Sequence, residues 1–368
     1  MSPEAAMRLA LAQARRASGR TFPNPAVGAV VLRGARVLGR GFTRPAGGAH
    51  AEVVAIEAAR RRHGDAALRG AWLAVTLEPC AHVGRTAPCA DLVAQVGIAR
   101  VVVGHIDPHP SVSGRGLRRL RRAGVLVVQG VLERECREQH RGFLSVCARG
   151  RPFVALKLAT SLDGRIATAA GESRWITGPQ ARAAVHALRA RADAILVGSG
   201  TALADDPALT ARRGGRVVHA PLRVVLDSRL RTPPEARLFA GGRALALCAA
   251  AAPRARRRAL EAQGVRVVPV PGAPGALDLR RALARLAAAG PTEVLVEGGG
   301  RVAASLLRAG LVDEVHWFLA PRLLGADARP ALGPLGLAAL ARAPRLGDVR
   351  VRRLGEDWYL RGRPEGGR

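Results

Sequence analysis

The sequence predicts an α/β protein with two domains, and three observations support this prediction. The chain has 368 residues, of which 48% are hydrophobic, so it is long and apolar enough to build two cores. Short apolar strands alternate with helical patterns along both halves, which is typical of sheets covered by helices. The segment Arg-Gly-Arg-Pro interrupts this alternation and predicts a linker at 148–152, between domains at 1–147 and 153–368.

In the first domain, the spacing of apolar residues predicts a helix over residues 3–18, followed by a hairpin of two strands. Between them, two prolines fix the backbone on either side of Asn24, which is either a turn former or an amide held at a pocket wall. The remaining elements follow from the same patterns. Strands are expected at 27–32, 37–42, 71–77, 100–104 and 125–128, and helices from residue 50, at 90–96 and at 132–146.

A histidine and two cysteines in this domain have the side chains and the order of a zinc site. His50 lies in the sequence His-Ala-Glu, Cys80 ends the sequence Glu-Pro-Cys, and eight residues separate Cys80 from Cys89. One imidazole and two thiolates would occupy three corners of a tetrahedron and leave the fourth to a water, whose pKa falls to about 7 on zinc. Glu52, in the first turn of a helix, would then carry protons without binding the metal. Zinc-dependent nucleobase deaminases have this pattern, although two residues separate their cysteines.

The alternative interpretation is that His50 caps a helix and that both cysteines are small, buried apolar residues. The order of the two motifs within one α/β pattern favours the zinc site. Between the cysteines lies a polar loop in which His82 and Arg85 either bind a phosphate group or are solvated. Cys136 and Cys147 fall in or near a predicted helix, and we interpret both as structural.

The net charge of +30 is typical of nucleic-acid binding, but the distribution of the charge argues against it. Lys157 is the only lysine, so 57 of the 58 basic residues are arginines, and they are spread over the whole length. Aromatic residues make up 3% of the chain, too few for platforms that stack nucleobases. We therefore expect no nucleic-acid partner, and a small anionic substrate instead. The single lysine suggests a site that needs a compact ammonium group.

Cysteine usage and hydropathy indicate the compartment. Five cysteines in so long a chain do not form a disulfide framework, which favours a reducing cytoplasm. The sequence has no apolar run of transmembrane length and no signal peptide, so no membrane partner is expected. A cytoplasmic homo-oligomer is the expected form.

The second domain is predicted to contain a mainly parallel sheet with helices on both faces. Pro179 is expected at the first position of a helix, with Thr177 or Gly178 as its cap. Residues 330–345 give little signal, and the tail from Arg361 is expected to be disordered. Strands are predicted at 153–159, 194–197, 222–226, 244–248, 265–268, 293–296 and 315–320, and helices at 179–191, 253–263, 278–289 and 300–308.

Two glycine-rich turns in this domain are candidate phosphate sites. The pair Gly198 and Gly200 lacks the third glycine of a dinucleotide-binding fingerprint, so its signal is weak. The sequence Glu-Gly-Gly-Gly at 297–300 follows an apolar strand and opens a helix, whose first amides can face a phosphate. The alternative is a tight turn without a ligand.

Ordered motifs in both halves resemble the family of bifunctional riboflavin-biosynthesis deaminase–reductases. The first half contains PNPAVG, AGGAHAE, TLEPCAHVGRTAPC and DPHP; the second contains KLATSLDGRIAT, GESRWIT, GTALADDPALTAR, VLDSR and VEGGG. Together the two halves of the resemblance cover nearly the whole chain, and the family shares the longer cysteine spacing. Two positions differ from the family's usual pattern: Ala81 stands where Ser is usual, and His109 where Asn is usual.

The resemblance implies a cytidine-deaminase-like three-layer domain followed by a domain similar to dihydrofolate reductase. The first would hydrolytically deaminate 2,5-diamino-6-(5-phosphoribosylamino)pyrimidin-4(3H)-one. The second would reduce the ribosyl chain with NADPH to give 5-amino-6-(5-phospho-D-ribitylamino)uracil. In the first domain the resemblance implies zinc on His50, Cys80 and Cys89, Glu52 as proton carrier, and substrate contacts from Asn24, His82 and Arg85.

In the second domain the resemblance implies sites for NADPH and for a ribose phosphate. Lys157 and Asp205 are the candidates for polarising or protonating the reacting group, although Asp205 could instead cap a turn, and Arg189 could lie on a solvated helix face. Substrate contacts are expected from Ser173, Arg189, Leu209, Arg212 and Glu297. NADPH contacts are expected from Ala159, Trp175, Thr201, Asp205, Ser228, Gly299, Gly300, Arg301, Val302, Ala303, Ala304 and Ser305.

Two other interpretations stay open at this point. The chain could be a tRNA-type nucleobase deaminase whose basic second domain binds RNA, which the charge favours but the long cysteine spacing and few aromatics oppose. It could also keep the two-domain fold with only one live activity. A salt-sensitive RNA complex would distinguish the first of these from the deaminase–reductase.

Overall fold

The computed structural model describes residues 1–81, 88–110, 112–272 and 275–365. Contacts divide the chain into an N-terminal unit, Met1–Gly150, and a C-terminal unit, Arg151–Arg368. The last helix of the first unit continues to Arg149, and the first strand of the second begins at Phe153. The irregular connection is therefore residues 150–152, shorter than the linker predicted over 148–152.

The N-terminal unit alternates helices and strands. Its first helix begins at Pro3 because proline suits the first helical position, and the Ser2 hydroxyl caps it by accepting a hydrogen bond from the Ala5 amide at 3.2 Å. The elements are α1 Pro3–Ala17, β1 Gly28–Arg33, β2 Arg36–Phe42, α2 Ala51–His63, β3 Trp72–Leu77, α3 Cys89–Gln95, β4 Arg100–His105, α4 Arg115–Arg122, β5 Leu126–Gln129, α5 Glu133–Gln139 and α6 Arg141–Arg149.

The strands of this unit form one sheet in the order β2-β1-β3-β4-β5. β1 runs antiparallel to β2 and β3, whereas β3, β4 and β5 run parallel. Alternate residues of each strand point to opposite faces: Val30 and Val102 pack in the core that includes α1, and Val31 and Val103 in the core that includes α2, α3 and α4. Helices on both faces give the three-layer architecture, so the predicted fold class is confirmed for this unit.

Two elements of this unit differ from the sequence predictions. The helix predicted at 132–146 is broken into α5 and α6 at His140, whose buried Nε2 lies 3.0 Å from the Thr76 hydroxyl. That tertiary hydrogen bond is invisible to helical periodicity. The helix α4 is absent from the predictions because five of its eight residues are arginines, although Leu117 and Leu120 are buried at helical spacing.

The C-terminal unit contains the remaining elements in a longer alternation. They are β6 Phe153–Ser161, β7 Arg165–Ala167, α7 Pro179–Arg191, β8 Ala194–Gly198, α8 Ser199–Asp205, β9 Ala211–Arg213, β10 Arg216–His219, β11 Leu222–Leu226, β12 Ala244–Ala249, α9 Arg254–Ala262, β13 Arg266–Val270, α10 Leu279–Ala288, β14 Glu293–Val296, α11 Gly300–Arg308, β15 Glu314–Ala320, β16 Arg329–Pro330, β17 Leu346–Leu354 and β18 Asp357–Pro364.

The main sheet of this unit has the order β13-β12-β11-β8-β14-β6-β15-β18-β17. The strands from β13 to β15 run parallel, and β18 and β17 extend the sheet as an antiparallel hairpin. Leu196 packs in the core with residues of α10 and α11, whereas Ile195 packs on the opposite face with residues of α8 and α9. The mainly parallel sheet covered on both faces is thereby confirmed.

The predicted disorder of the tail from Arg361 is wrong as far as Pro364. These residues belong to β18, which pairs with β15 on one side and with β17 on the other. The arginine-rich sequence hides this strand, because its pairing partner β15 lies some forty residues earlier in the chain. Residues 366–368 lie outside the described part. The sequence predictions also lack α8 and the β9–β10 hairpin, which fall in short polar segments.

Candidate active sites

The three predicted metal ligands come together in the N-terminal unit. His50 is the N-cap residue of α2, Cys80 follows β3, and Cys89 is the first residue of α3. Their ligand atoms all lie within 4.8 Å of one another, with His50 Nδ1 3.7 Å from Cys80 Sγ and 3.3 Å from Cys89 Sγ. Two helix starts and one strand end thus place one imidazole and two thiols at one point.

The electrostatics of this cluster favour a metal cation. A hydrogen bond from the Cys89 thiol lowers the pKa of Cys80 to about 4, since it stabilises the Cys80 thiolate against the cost of burial. The same shared proton, together with burial, raises the pKa of Cys89. The hydrogen bond with Cys80 also raises the pKa of His50. The backbone amide of Cys89 donates a further hydrogen bond to Cys80 Sγ at 3.3 Å. The lowered pKa of Cys80 favours its thiolate, which is the form that binds a metal cation.

Glu52 lies beside this cluster in the first turn of α2 and is only 4% exposed. Burial, and then the neighbouring Cys80 thiolate, raise the pKa of Glu52 to about 7. A carboxyl group with that pKa can both accept and donate a proton near neutral pH.

His50 and Cys80 of this cluster, together with Glu52, line a cavity of about 310 Å³. Asn24 lines it, in the turn between α1 and β1, so the structure places this amide at a pocket wall as one of the two interpretations predicted. His109, which departs from the family pattern, lines the cavity as well. His82 and Arg85 lie outside the described residues.

Sequence reasoning missed the role of Glu78, the first residue of the Glu-Pro-Cys motif. Its carboxylate is buried and accepts hydrogen bonds from the backbone amides of Asp107, Gly114 and Leu117. A glutamate directly after a mostly apolar, buried strand was the available signal, because such a residue needs buried partners.

The C-terminal unit has a second cavity, of about 640 Å³, at the carboxyl ends of its parallel strands. It brings together most residues predicted for the reductase site. Predicted residues that line it are Lys157, Ala159, Ser173, Trp175, Arg189, Thr201, Asp205, Leu209, Arg212, Glu297, Gly299 and Gly300.

Three charged groups form the buried floor of this cavity. Glu297, at the end of β14, accepts two hydrogen bonds from the Arg189 guanidinium, at 2.6 and 2.9 Å. Its Oε2 also lies 3.9 Å from Lys157 Nζ, in the neighbouring strand β6. Burial lowers the pKa of Lys157, and the carboxylate of Glu297 partly opposes that shift. Burial would raise the pKa of Glu297, but the charges of Arg189 and Lys157 lower it below its usual value.

The two predicted phosphate-binding arginines therefore differ in availability. The guanidinium of Arg189 is held by Glu297 and by the Thr210 carbonyl at 3.1 Å. Arg212 is exposed on β9, and its Nε donates to the Thr210 hydroxyl at 3.3 Å. Arg212 is thus the arginine whose side chain can reach an incoming anion.

The glycine loop after β14 has a backbone conformation that favours glycine and packs closely against α8. Gly299 has φ +61°, a conformation that favours glycine, and precedes the first turn of α11. A Cβ on Gly298 would lie 2.9 Å from the Thr201 hydroxyl, so the loop and α8 approach closely at the cavity. Trp175 is 63% exposed at the rim, with the Arg182 guanidinium 4.7 Å from its ring centroid.

Some predicted NADPH contacts lie away from the residues that line this cavity. Arg301, Val302, Ala303, Ala304 and Ser305 continue α11 behind the loop, and Ala303 and Ala304 are buried in the core. Ser228 lies in the turn after β11, two strands from β14 in the sheet. Asp205 does line the cavity, and its carbonyl accepts a hydrogen bond from Arg174 at 2.8 Å. His186, which the predictions lack, lines it as well.

Comparisons with known proteins identify the family to which this chain belongs. The family model of the cytidine and deoxycytidylate deaminase zinc-binding region matches residues 1–105, and that of the RibD C-terminal domain matches residues 152–360. The riboflavin biosynthesis protein RibD of Escherichia coli is 41% identical over 372 residues, which cover 98% of this chain and 99% of that protein. The chain belongs to the RibD family.

Other members agree over nearly the full length. RibD of Aquifex aeolicus is 38% identical over 354 residues, 96% of each chain. The structure of Acinetobacter baumannii RibD has a TM-score of 0.87 at 36% identity and covers 98% of both chains. A Thermotoga maritima diaminohydroxyphosphoribosylaminopyrimidine deaminase/5-amino-6-(5-phosphoribosylamino)uracil reductase has a TM-score of 0.84 at 36% identity, with the same coverage.

Membership in the RibD family confirms the resemblance seen in the motifs. The chain is a bifunctional deaminase–reductase of riboflavin biosynthesis, with a cytidine-deaminase-like domain followed by a dihydrofolate-reductase-like domain. The interpretation of the second half as an RNA-binding domain is not supported, because residues 152–360 match the RibD C-terminal domain.

The cofactors of this family fit the residues present. Zn²⁺ fits the donor set of His50, Cys80 and Cys89, which is two soft thiolates and one imidazole. NADPH fits the cavity of the C-terminal unit, where a glycine loop opens α11. Within the described residues, no helix is long and apolar enough to cross a membrane.

Proposed function

We propose that the N-terminal unit deaminates 2,5-diamino-6-(5-phosphoribosylamino)pyrimidin-4(3H)-one and that the C-terminal unit then reduces the ribosyl chain of the product. The observation that carries the deaminase is a cavity lined by His50, Cys80 and the buried residue Glu52, with Cys89 in the same ligand cluster. The family membership supports both steps and their combination in one chain.

In the deaminase site, His50, Cys80 and Cys89 would hold the zinc ion. Zinc, when bound, would acidify a water molecule and so provide the nucleophile at neutral pH. Glu52 would accept a proton during the attack and deliver it to the leaving amine. Its buried position supports this role, because burial raises the pKa of this carboxyl group and so favours its action as both acceptor and donor of a proton.

Substrate contacts in the deaminase come from residues around the cavity. Asn24 presents its amide to the pyrimidine from the turn before β1. His82 and Arg85 bind the ribose phosphate, as the family resemblance implies. His109 takes the position where the family usually has Asn and offers an imidazole in place of an amide.

In the reductase site, NADPH supplies the hydride when bound. The Gly299 and Gly300 loop would hold its phosphates, because a helix N-terminus there directs its first amides toward an anion. The other predicted contacts, Ala159, Trp175, Thr201, Asp205, Ser228 and residues 301–305, extend this surface along the strand ends.

Lys157 is our candidate for the group that protonates or polarises the reacting ribosyl carbon–oxygen group. Its ammonium group sits next to Glu297, and burial lowers its pKa, so its proton is given up more readily than that of an exposed lysine. Asp205 also acts on Lys157, because its carboxylate favours the charged ammonium form. Asp205 is the second candidate.

The substrate of the reductase is held by Ser173, Leu209, Arg212 and Glu297, with Arg189 as support. Arg212 binds the phosphate, because its guanidinium is exposed at the cavity while that of Arg189 is committed to Glu297. The partner is a small molecule, and we further propose a homo-oligomer that works in the cytoplasm.

The test is a two-stage assay with the purified, zinc-loaded chain. The diaminopyrimidine substrate is added first and ammonia is measured; NADPH is added next and its oxidation is followed. Ammonia before NADPH, and NADPH oxidation only after deamination, are the expected results. Ammonia release without later NADPH oxidation would show that only the deaminase is active. The absence of ammonia would overturn the proposed deaminase.

A further inference from the structure

The carboxylate of Glu78 is buried at the end of β3, two residues before Cys80, and three backbone amides hold it. Its Oε2 accepts hydrogen bonds from the amides of Asp107 at 3.2 Å and Gly114 at 2.9 Å. Its Oε1 accepts one from the amide of Leu117 at 3.2 Å. Glu78 is 4% exposed, so these amides replace the water that an ionised carboxylate would otherwise bind.

Two of the three amides belong to the start of α4. Gly114 is the N-cap residue of this helix, and Leu117 lies in its first turn. The first amides of a helix have no partner within it, and a negative charge there is stabilised by the positive end of the helix dipole. Glu78 therefore caps α4 from a distant part of the sequence and fixes the start of the helix to the end of β3.

The third amide begins the segment that forms one wall of the deaminase cavity. Asp107, His109 and Val112 line that cavity, and residue 111 between them lies outside the described part. Hydrogen bonds continue along the segment. The Asp107 carboxylate accepts one from the His109 amide at 2.8 Å, and the His109 carbonyl accepts one from the Val112 amide at 2.8 Å. Glu78 thus holds this wall at Asp107 and again at Gly114.

Close packing adds to this connection. A Cβ on Gly116 would lie 2.0 Å from the carbonyl oxygen of Pro79, so α4 lies directly against the residue before Cys80. The cavity wall and the metal ligand Cys80 are consequently fixed to the same two residues, Glu78 and Pro79. A small displacement at Glu78 would move the wall relative to the cluster.

We propose that Glu78 is a positioning residue of the deaminase, which holds the wall formed by Asp107, His109 and Val112 against the substrate and exchanges no proton with it. The proposal rests on the deaminase function proposed above. The wall contributes to substrate binding, so its displacement weakens binding more than it slows the chemical step.

The substitution Glu78→Gln tests this role with little change in shape. A glutamine has one oxygen and one NH₂ group, and the NH₂ group would face amide donors in place of an acceptor. One orientation loses the hydrogen bond to Leu117, and the other loses those to Asp107 and Gly114. The matched control is Glu57→Gln, since the Glu57 carboxylate pairs with Arg60 on the surface of α2, away from the residues that line the cavity.

Ammonia release by the full, zinc-loaded chain is measured over a range of substrate concentrations for each variant. Zinc per chain and NADPH oxidation with the deaminated substrate are measured on the same samples. We expect Glu78→Gln to raise the deaminase KM at least tenfold and to keep kcat within threefold. Zinc content and reductase rate stay at the level of Glu57→Gln.

Three results would overturn the positioning role. A KM equal to that of Glu57→Gln would show that the wall does not depend on Glu78. A fall in kcat at unchanged KM would instead make Glu78 a proton carrier. Loss of zinc in proportion to activity would mean that Glu78 acts only through Cys80. An inactive wild-type chain would overturn the deaminase function and this proposal together, whereas an active wild type with an unaffected variant would overturn this proposal alone.

Glu78→Asp provides a second variant if the glutamine variant does not fold. Aspartate keeps the charge that caps α4, but its side chain is one methylene shorter and cannot hold all three amides at hydrogen-bond distance. We expect its KM to lie between those of the wild type and Glu78→Gln or, where the latter is not obtained, at least threefold above the wild type. A KM equal to the wild-type value would contradict the proposal.

Discussion

Replacing Glu52 with glutamine tests the central chemical inference, that this residue carries protons for the deaminase. Glu52 is 4% exposed and lies in the first turn of α2, two residues after His50. Glutamine has nearly the same volume, so the packing around this buried position should be kept. Glutamine cannot accept a proton at neutral pH.

The expected loss follows from the position and pKa of the group. Burial raises the pKa of Glu52 above that of an exposed carboxyl group, which favours proton transfer in both directions near neutral pH. General acid–base catalysis contributes roughly 10²- to 10⁴-fold, which is ~3–5 kcal/mol of activation free energy at 1.36 kcal/mol per factor of ten. We therefore expect kcat for ammonia release to fall at least a hundredfold, with zinc still bound.

The assay measures ammonia, zinc per chain and NADPH oxidation for the wild type, Glu52→Gln and Glu57→Gln. The last variant changes an exposed carboxylate on the same helix and controls for the loss of one negative charge. Because Glu52 belongs to the N-terminal unit, the reductase rate with deaminated substrate should be unchanged in both variants.

A Glu52→Gln enzyme that releases ammonia within threefold of the wild-type rate would refute the reasoning, since no proton carrier would then be needed at that position. Loss of zinc together with activity would also refute it, because Glu52 would then act by maintaining the metal site.

Three further predictions concern stability and the reductase. Burial lowers the pKa of His140 to about 3. The folded chain therefore keeps this imidazole neutral, whereas the unfolded chain binds a proton below pH 6.5. The contribution of His140 to the free energy of unfolding is fully present above pH 6.5 and is lost as the pH falls. Between pH 7.5 and pH 5 the loss is about 2 kcal/mol for a group of unfolded pKa 6.5, and urea unfolding should show it as the difference between the pH dependence of the wild type and that of His140→Gln. Arg212→Ala should raise the reductase KM for substrate more than tenfold. Arg213→Ala should not, because Arg213 is an exposed residue on the same strand that does not line the cavity. Equal KM values for the two variants would remove Arg212 from the phosphate site. Gly299→Ala should raise the KM for NADPH, because alanine is strained at the φ of +61° that this residue adopts at the cavity. The control Gly310→Ala has a similar φ of +63° but lies in open space beyond α11, so it should lower stability alone, by roughly 1 kcal/mol. Similar NADPH kinetics in both variants would show that the loop does not bind the cofactor.

The candidate metal ligands and the candidate proton carrier could be selected from sequence because their chemistry leaves few alternatives. His50, Cys80 and Cys89 are residue types that bind zinc, and each stands at the start of a helix or directly after a strand, where parallel strands bring side chains to one edge. The glycine loop before α11 was predictable for the same reason: a strand, a run of glycines and a helix start combine in a short segment.

Helices and strands were predicted correctly where the spacing of apolar residues is strongly periodic. The prediction failed for elements that depend on contacts with distant parts of the chain. The bounds of α7, Pro179–Arg191, agree with the prediction because a proline begins the helix and apolar spacing continues through it. The β17–β18 hairpin could not be found, since arginines alternate through it and its stability comes from pairing with β15. The break at His140 likewise depends on Thr76 in another strand.

Sequence patterns determined the fold class, the family and the candidates for the zinc ligands and the proton carrier, because these depend on residue type and local spacing. The folded chain was needed to show which charged groups are free to bind substrate. Arg189 and Arg212 are equivalent candidates in sequence, but Glu297 holds Arg189 while Arg212 stays exposed. Sequence shows Glu78 only as one glutamate in a short motif. The structure shows that its carboxylate accepts hydrogen bonds from three backbone amides of residues that lie 29 to 39 positions later in the chain. Burial and hydrogen bonds between distant segments set these roles, and local sequence does not contain them.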